Sequence, residues 1–342
     1  MRLYTLDYLR GLAALGIMMY HYLSWTYGHF DASTAMGRVG VYGVSIFYVL
    51  SGLTLHVVYR DKMNNWQQVK DFFIKRVFRI YPLLWVATIV GTVFYMIGGT
   101  NVGRMKFLLN ITGLFGFTRP HDSIANGAWS IGNELVFYLA FPLLMFAMKR
   151  KLLFIPVIIS LVLYVVFAFL MLDKSQILAQ NWPLYTNPLN QLFLFVAGFT
   201  LGMFNYRNTK MALVVLIAAI VIFILWPSVG DLITIVTDLE RMVYTMLSIV
   251  ICYCFYMLNS KLPLLHKPLS KLGEASYSVY LLHPLVFTGM GYLIKDGVVK
   301  WVVCVPVTLG LAYLVYLKIE TPFIKIGKMV NGVGRRREAV IV

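Results

Sequence analysis

The sequence has little charge. Only 13% of its 342 residues are Asp, Glu, Lys or Arg, whereas 60% are hydrophobic and 15% are aromatic. An ordinary soluble domain carries about 25% charged residues, so this chain cannot cover a water-exposed surface. Its high hydropathy excludes a disordered chain. A disulfide scaffold is excluded as well, because the only cysteines, Cys252, Cys254 and Cys304, lie within apolar runs.

Acidic residues are the scarcer of the two charged classes. The chain has 14 Asp and Glu against 30 Lys and Arg, which gives a formal net charge of +16. On a chain this apolar, the excess is typical of the basic loops of a membrane protein rather than of a soluble nucleic-acid-binding face. We therefore expect the lipid bilayer, and no nucleic acid, among the partners.

Several segments are long and apolar enough to cross a bilayer, which takes about 20 residues per helix. Ten such segments lie at approximately residues 7–27, 39–59, 79–98, 128–148, 152–172, 188–206, 211–227, 241–258, 276–294 and 301–319. A shorter apolar stretch at 104–118 is more typical of a re-entrant or interfacial segment, and a count of nine or eleven stays open. The sequence thus predicts an all-α polytopic membrane protein with about ten transmembrane helices.

The basic residues predict the orientation of these spans, because Lys and Arg favour cytoplasmic loops. With both termini in the cytoplasm, that side receives 22 of the 30 basic residues. The first span contains ionisable residues and lacks a small-residue cleavage site, so we expect it to be retained rather than removed as a signal peptide. Residues 1–325 are expected to form a transmembrane domain, and residues 326–342, with Arg335–Arg337, a basic cytoplasmic tail.

Three ionisable residues lie in the first span, where burial is costly and a function is therefore expected. Arg10 and His21 are eleven residues apart, which places them on one helix face about 16 Å apart. Asp7 is one turn from Arg10 and is expected to form an ion pair with it. For His21 alone, catalysis and a hydrogen bond between helices are equally compatible with the sequence.

The fourth span carries Glu134 about two turns from its outer end. This depth is close to that of His21 on the oppositely running first helix. A carboxylate can hold an imidazole in one tautomer and stabilise its protonated form. If the two helices are in contact, Glu134 is predicted to orient His21 as a general base.

Two further clusters contain candidate functional residues. Arg76 and Arg79 are one helical turn apart and can present two guanidinium groups to phosphates, although the charge bias of cytoplasmic loops also explains basic residues there. In the ninth span, Tyr280 and His283 share a helix face, and Pro284 interrupts the helical hydrogen bonds beside the histidine. Hydrogen bonds between helices are the alternative role for this second cluster.

Six sequence motifs follow one another along nearly the whole chain. They are LDYLRGLAA at residues 6–14 with His21, FYVLSG at 47–52, RVFRIYP at 76–82, WSIGNE at 129–134 with Phe137 and Tyr138, SYSVYLLHP at 276–284, and ETPF at 320–323. In these motifs and in their order, the sequence resembles the acyltransferase 3 family of integral membrane O-acyltransferases.

The resemblance implies an enzyme that transfers an acyl group, usually acetyl, from cytoplasmic acyl-CoA to a hydroxyl of an envelope carbohydrate or glycolipid. The residues that match the family's functional motifs are Arg10 with His21, Arg76 with Arg79, and Trp129 and Ser130 with Glu134. Two departures are Ser45, where the family often has a carboxylate, and the lack of a second acidic residue beside Glu134.

Together, topology and resemblance predict a mechanism. Arg10, Arg76 and Arg79 are expected to bind the phosphates of acyl-CoA, and His21 to deprotonate the acceptor hydroxyl. An oxyanion donor is required, and Ser51, Trp129, Ser130 and Tyr280 all stay candidates. The supporting residues are expected to be Asp7, Ser51, Trp129, Ser130, Tyr280 and His283. Acetyl-CoA is expected as a co-substrate, with no metal and no permanently bound cofactor.

The chain is expected in a bacterial cytoplasmic membrane, with the outer segment 100–127 as the candidate for acceptor contacts. The main alternative is a proton-coupled transporter that uses Arg10, His21, Glu134 and His283 as a relay. The sequence has no evident inverted repeat, which disfavours a transporter. A scaffold whose buried polar groups only join helices is a third possibility.

Overall fold

The chain folds into a bundle of α-helices. The computed structural model describes residues 3–204, 209–258 and 260–340, with side chains up to residue 330, and these ranges contain helices, turns and loops but no strand. The α-helices are α1 Tyr4–Tyr27, α2 Ala35–Tyr59, α3 Trp66–Ile97, α4 Arg104–Thr112, α5 Phe115–Thr118, α6 Trp129–Lys149, α7 Phe154–Val166, α8 Trp182–Tyr185, α9 Pro188–Leu201, α10 Thr209–Leu225, α11 Ile233–Val236, α12 Asp238–Leu258, α13 His266–Glu274, α14 Ser276–Gly291, α15 Gly297–Val315 and α16 Thr321–Val340. The predicted all-α fold is confirmed.

Each of the predicted spans coincides with a helix, namely α1, α2, α3, α6, α7, α9, α10, α12, α14 and α15. The largest difference is at α3, which begins at Trp66 rather than near residue 79. The Asn65 side chain accepts a hydrogen bond from the Gln68 backbone N–H and so caps this helix early. The apolar stretch at 104–118 forms two short helices, α4 and α5.

Six helical segments among the described residues are long and apolar enough to cross a membrane: Ala35–Tyr59, Trp66–Ile97, Trp129–Lys149, Phe154–Met171, Asp238–Leu258 and Gly297–Val330. Helices α9, α10 and α14 have only 14, 17 and 16 residues. Helix α1 is longer, but Asp7, Arg10 and His21 lower its hydropathy. Several apolar helices thus support a multi-pass membrane protein, while the expected count of about ten is not confirmed.

The expected boundary between membrane domain and tail lies inside a helix. Helix α15 passes through a π-helix at Tyr316–Glu320 directly into α16, which ends at Val340. Residues 326–340 therefore continue a helix that begins at Thr321, while residues 341–342 of the expected tail lie outside the described residues. Short π-helical turns inside α-helices often occur at functional sites.

Helix α2 is packed against α1, α9 and α12. Its contact with α9 is backbone against backbone, because a Cβ atom at Gly52 would overlap the Phe195 carbonyl and one at Gly198 would overlap the Val49 carbonyl. Such close approach requires residues without a side chain, as in many membrane helix pairs. The two glycines therefore fix the position of α2, which carries one wall of the cavity described below.

A buried arginine joins the start of α2 to the end of α10. Arg38 is only 2% exposed, and its guanidinium donates hydrogen bonds to the carbonyls of Ala32, Ser33, Phe223, Ile224 and Trp226. The last carbonyls of a helix have no partner within it, so a cation with five N–H groups is well suited to this position.

We expect Gly198→Ala to destabilise the protein, because the added methyl group pushes α9 away from α2. Overpacking of this kind costs about 1–3 kcal/mol. The matched control is Gly310→Ala, since a Cβ at Gly310 meets nothing within 4 Å. Thermal unfolding of both variants in detergent tests this prediction, and a Gly198→Ala protein as stable as Gly310→Ala would contradict it.

Candidate active site

A cavity of about 390 Å³ lies between α1, α2, α3, α6 and α14. Its charged lining residues are Asp7, Arg10, Arg76, Arg79, Glu134 and Glu274. Ser130, Glu134 and Tyr138 follow one face of α6 along it, about 6 Å apart at each step. We call this space the central cavity, its end at Arg10, Arg76 and Arg79 the arginine end, and its end at Ser130 and Tyr280 the tyrosine end.

Arg10 is held by its own helix and by α2. Its guanidinium lies 3.4 Å from the Asp7 carboxylate and donates a hydrogen bond of 2.5 Å to the Thr54 hydroxyl. The ion pair between Asp7 and Arg10 therefore forms as the spacing predicts. The contact with Thr54 fixes Arg10 against the cavity wall. No sequence motif indicated this partner, apart from its position one turn from Ser51.

The two arginines of α3 are left with unused donors. Arg76 packs over the rings of Phe72 and Tyr138, each 5.6 Å from the guanidinium carbon, and its buried Nε has no hydrogen-bond partner. Arg79 lines the cavity and forms no hydrogen bond or ion pair with any residue that the structure describes. A cavity that presents unpaired guanidinium groups is suited to an anion such as a phosphate.

The Glu134 carboxylate is bound inside the central cavity. Its Oε1 accepts hydrogen bonds from the Ser51 hydroxyl, at 2.8 Å, and from the Tyr138 hydroxyl. Arg10 lies close enough to interact with it electrostatically. No hydrogen bond joins Glu134 to His21 among the described residues, so the structure does not show the contact through which Glu134 is predicted to orient His21. The Ser51 and Tyr138 hydroxyls bind the carboxylate instead.

His21 contacts His283 instead. His21 Nδ1 and His283 Nε2 are 3.0 Å apart, and the two rings are stacked with centroids 5.0 Å apart. His283 Nδ1 lies 3.2 Å from the Val279 carbonyl oxygen. We call His21 and His283 the histidine pair.

The contact with the Val279 carbonyl determines which ring nitrogens of the histidine pair carry a hydrogen. A carbonyl oxygen only accepts, so His283 Nδ1 must carry the hydrogen. In a neutral ring His283 Nε2 then has a lone pair and accepts from His21 Nδ1–H. His21 Nε2 is consequently left with a free lone pair, which is the form that a general base requires.

Pro284 explains why a carbonyl is available beside His283. Proline has no N–H, so the Tyr280 carbonyl one turn earlier loses its helical partner. Both the Val279 and the Tyr280 carbonyls interact with the His283 ring, which is completely buried. The sequence His283-Pro284 thus places the ring against main-chain acceptors inside an apolar bundle.

Aromatic rings also pack against the histidine pair. Trp25 stacks on His21 with ring centroids 5.0 Å apart, and Phe287 lies 5.0 Å from Trp25. The Tyr22 hydroxyl donates to the His283 carbonyl at 3.0 Å. Trp25 is 39% exposed, so it is the member of this cluster that borders the surroundings.

Tyr280 connects the central cavity with the histidine pair. Its hydroxyl accepts a hydrogen bond from Ser130 at 2.8 Å and donates to the Gly127 carbonyl at 3.0 Å, and its ring lies 6.0 Å from the His283 ring. Ser130 and Tyr280 both line the cavity. The hydroxyl groups of Ser130 and Tyr280 are therefore the polar groups at the tyrosine end of the cavity.

The other two candidate oxyanion donors are engaged elsewhere. The Ser51 hydroxyl donates to Glu134. Trp129 is buried and packs against Trp182 and Tyr185. The Ser130 and Tyr280 hydroxyls are hydrogen-bonded as well, to Tyr280 and to the Gly127 carbonyl, but they lie at the tyrosine end of the cavity beside the histidine pair.

A second cavity, of about 240 Å³, begins one residue after His283. Pro284, Leu285 and Thr288 of α14 line it together with Thr100 and Asn126 from the segment 100–127. Of the charged residues in that segment, Lys106 and Asp122 pair with each other at 3.3 Å. No group of three His, Cys, Asp or Glu side chains within residues 3–204, 209–258 and 260–340 is arranged to hold a metal ion.

Comparison with known proteins adds independent information. A family model described as an acyltransferase domain matches residues 3–317. A putative acetyltransferase, ORF330, of Acidianus two-tailed virus is 29% identical over 301 residues, 81% of each chain. The O-acetyltransferase OatA of Staphylococcus aureus is 25% identical over 359 residues, which cover 94% of this chain and 57% of that protein.

A peptidoglycan O-acetyltransferase OatA of Listeria monocytogenes is 27% identical over 155 residues, which are 40% of this chain and 23% of that protein. The chain thus matches 57% or less of the length of the two OatA proteins. No solved structure matches it.

Proposed function

The chain belongs to the acyltransferase 3 family, and from that membership we propose that it transfers an acetyl group from cytoplasmic acetyl-CoA to a hydroxyl of a cell-envelope carbohydrate or glycolipid. Relatives named as O-acetyltransferases support the acetyl group, and the relative named for peptidoglycan supports a glycan acceptor. The observation that carries the proposal is the central cavity, which has unpaired arginines at one end and a tyrosine next to the histidine pair at the other.

The proposed topology has about ten membrane-crossing helices in a bacterial cytoplasmic membrane, with both termini in the cytoplasm. The bias of 22 among 30 basic residues supports this orientation. It places the arginine end of the central cavity on the cytoplasmic side, where acyl-CoA is found. The histidine pair then lies nearer the outer side, where envelope acceptors are found.

Acetyl-CoA carries its charge at one end. We propose that Arg79 and the Nε group of Arg76 bind its phosphates, because these guanidinium donors of the cavity-lining arginines form no hydrogen bond with the described residues. Arg10, already held by Asp7 and Thr54, adds positive charge at the same end. The uncharged pantetheine arm then runs along α6 toward the tyrosine end and brings the thioester to the histidine pair.

The proposed chemical step follows from the free lone pair on His21 Nε2. His21 Nε2 accepts the proton of the acceptor hydroxyl while the hydroxyl oxygen attacks the thioester carbonyl. The Tyr280 O–H turns from the Gly127 carbonyl to the oxyanion that forms and donates to it, while Ser130 continues to donate to the Tyr280 oxygen. The C–S bond then breaks, and the proton on His21 passes to the leaving sulfur, which gives CoA and the acetyl ester. His283 holds His21 in the required tautomer throughout.

We expect His21→Ala to abolish transfer while leaving folding and acetyl-CoA binding nearly intact. The loss of a general base typically lowers the rate by about 100- to 10,000-fold. Mass analysis of O-acetyl groups on envelope glycans, from cells that express either protein, measures the effect. A fully active His21→Ala protein would sink the mechanism.

The role of His283 is tested by two substitutions of different polarity. In His283→Gln the side-chain amide oxygen can still accept from His21 Nδ1–H, whereas His283→Leu offers no acceptor. We expect His283→Gln to keep most of the activity and His283→Leu to lose it to nearly the extent of His21→Ala. Equal activity of the two variants, with equal thermal stability, would show that His283 only fills space.

Arg76→Ala and Arg79→Ala are expected to weaken acetyl-CoA binding by about 10- to 100-fold each, the range of a lost charge-assisted hydrogen bond. Arg60→Ala is the control, because Arg60 is an exposed basic residue paired with Asp61 near the same boundary. Calorimetric titration with acetyl-CoA measures the affinities. Unchanged affinity in both α3 variants would indicate that these arginines contribute only to the membrane topology.

A further inference from the structure

Glu134 lies midway along the central cavity rather than beside the reacting groups. On α6 it is four residues from Tyr138, which packs under Arg76 at the arginine end. It is also four residues from Ser130, which bonds to Tyr280 at the tyrosine end. These steps place its carboxylate about 6 Å along the helix axis from each end. A donor whose phosphates lie at the arginines and whose thioester lies at Tyr280 must pass this carboxylate.

The contacts of Glu134 leave one oxygen unused. Both of its partners, Ser51 and Tyr138, donate to Oε1, and Oε2 accepts no hydrogen bond from the described residues. Two hydroxyl donors on one oxygen hold the carboxylate in a fixed position, and an ionised carboxylate can only accept. The cavity thus presents a positioned acceptor, about halfway along, for an N–H group of whatever occupies it.

The charge of Glu134 also restricts what can go past it. Arg10, Arg76 and Arg79 attract phosphates, whereas a carboxylate farther along the same cavity repels them. An uncharged segment with amide N–H groups is therefore the part of an acyl donor that fits this position. The pantetheine arm of acyl-CoA has two amide groups between its phosphate and its sulfur.

We propose that Glu134 accepts a hydrogen bond from a pantetheine amide and is a specificity-determining residue for the donor arm. This inference rests on the proposed function, because it assumes acyl-CoA as the donor. It gives Glu134 no part in proton transfer at His21. Glu134 favours thioester donors that have a pantetheine arm. Its negative charge keeps the phosphates of the nucleotide at the arginine end of the cavity.

Three acetyl donors distinguish the residues that bind the phosphates, those that bind the arm amides and those that act on the thioester. Acetyl-CoA has phosphates and arm amides, S-acetylpantetheine has the amides alone, and S-butyl thioacetate has neither. We expect Glu134→Gln to lower kcat/KM about 10- to 100-fold for the first two donors, the range for a lost hydrogen bond to a charged group. We expect no change for S-butyl thioacetate.

The comparison variants have their own donor patterns. Arg79→Ala is expected to affect acetyl-CoA alone, and His21→Ala to affect all three donors. Asp61→Asn, which neutralises an exposed carboxylate, is the matched control and should change none of them. Release of thiol in proteoliposomes measures each rate, or loss of thioester for the butyl donor.

A uniform loss across the three donors in Glu134→Gln would overturn the inference, since it would place the carboxylate in the reaction itself. Equal rates in Glu134→Gln and wild type would also overturn it. If Glu134→Gln does not fold, Ser51→Ala and Tyr138→Phe release the carboxylate and should give the same donor-selective loss in smaller measure. A fully active His21→Ala protein would sink the proposed mechanism alone, and the donor pattern of Glu134→Gln would still decide this inference.

Discussion

The candidate chemistry of this protein depends on one hydrogen bond to a main-chain carbonyl. Because the Val279 oxygen accepts and never donates, the hydrogen on His283 Nδ1 is fixed, and with it the hydrogen on His21 Nδ1. Pro284 frees a further carbonyl beside the ring. In many enzymes a carboxylate performs this orienting task. Here neutral main-chain dipoles perform it, so no charge has to be buried beside the base.

Arg38 differs from Arg76 and Arg79 in its hydrogen bonds. Arg38 directs all of its donors to main-chain carbonyls, three of them at the end of α10, and therefore acts as a helix cap. Arg76 and Arg79 line the central cavity, and neither the Arg76 Nε nor the Arg79 guanidinium forms a hydrogen bond with the described residues. An unpaired buried charge is costly and persists where a ligand supplies the missing partner. The same residue type thus joins two helices at one position and is proposed to bind an anion at another.

Sequence spacing predicted which residues lie close together on one helix, but not which residues of other helices they contact. The ten apolar segments coincide with helices, and the spacing of three between Asp7 and Arg10 gave their ion pair, because both properties belong to one helix. Residue counts predicted similar depths for Glu134 and His21 on different helices. Depth follows from residue counts, whereas the rotation of one helix against another depends on packing such as the Gly52–Gly198 contact. The contact of His21 with His283 was consequently not predicted, although His283 was among the candidates.

The same contacts bear on whether these residues could instead relay protons for transport. From His21 the hydrogen bonds lead to His283 and end at the Val279 carbonyl, which cannot take up a proton and pass it on. Glu134 belongs to a separate set of contacts with Ser51 and Tyr138. Among the described residues, no chain of titratable groups therefore runs from the histidine pair to the arginine end. In the proposed reaction, a proton taken by His21 Nε2 returns from the same nitrogen to the departing thiolate.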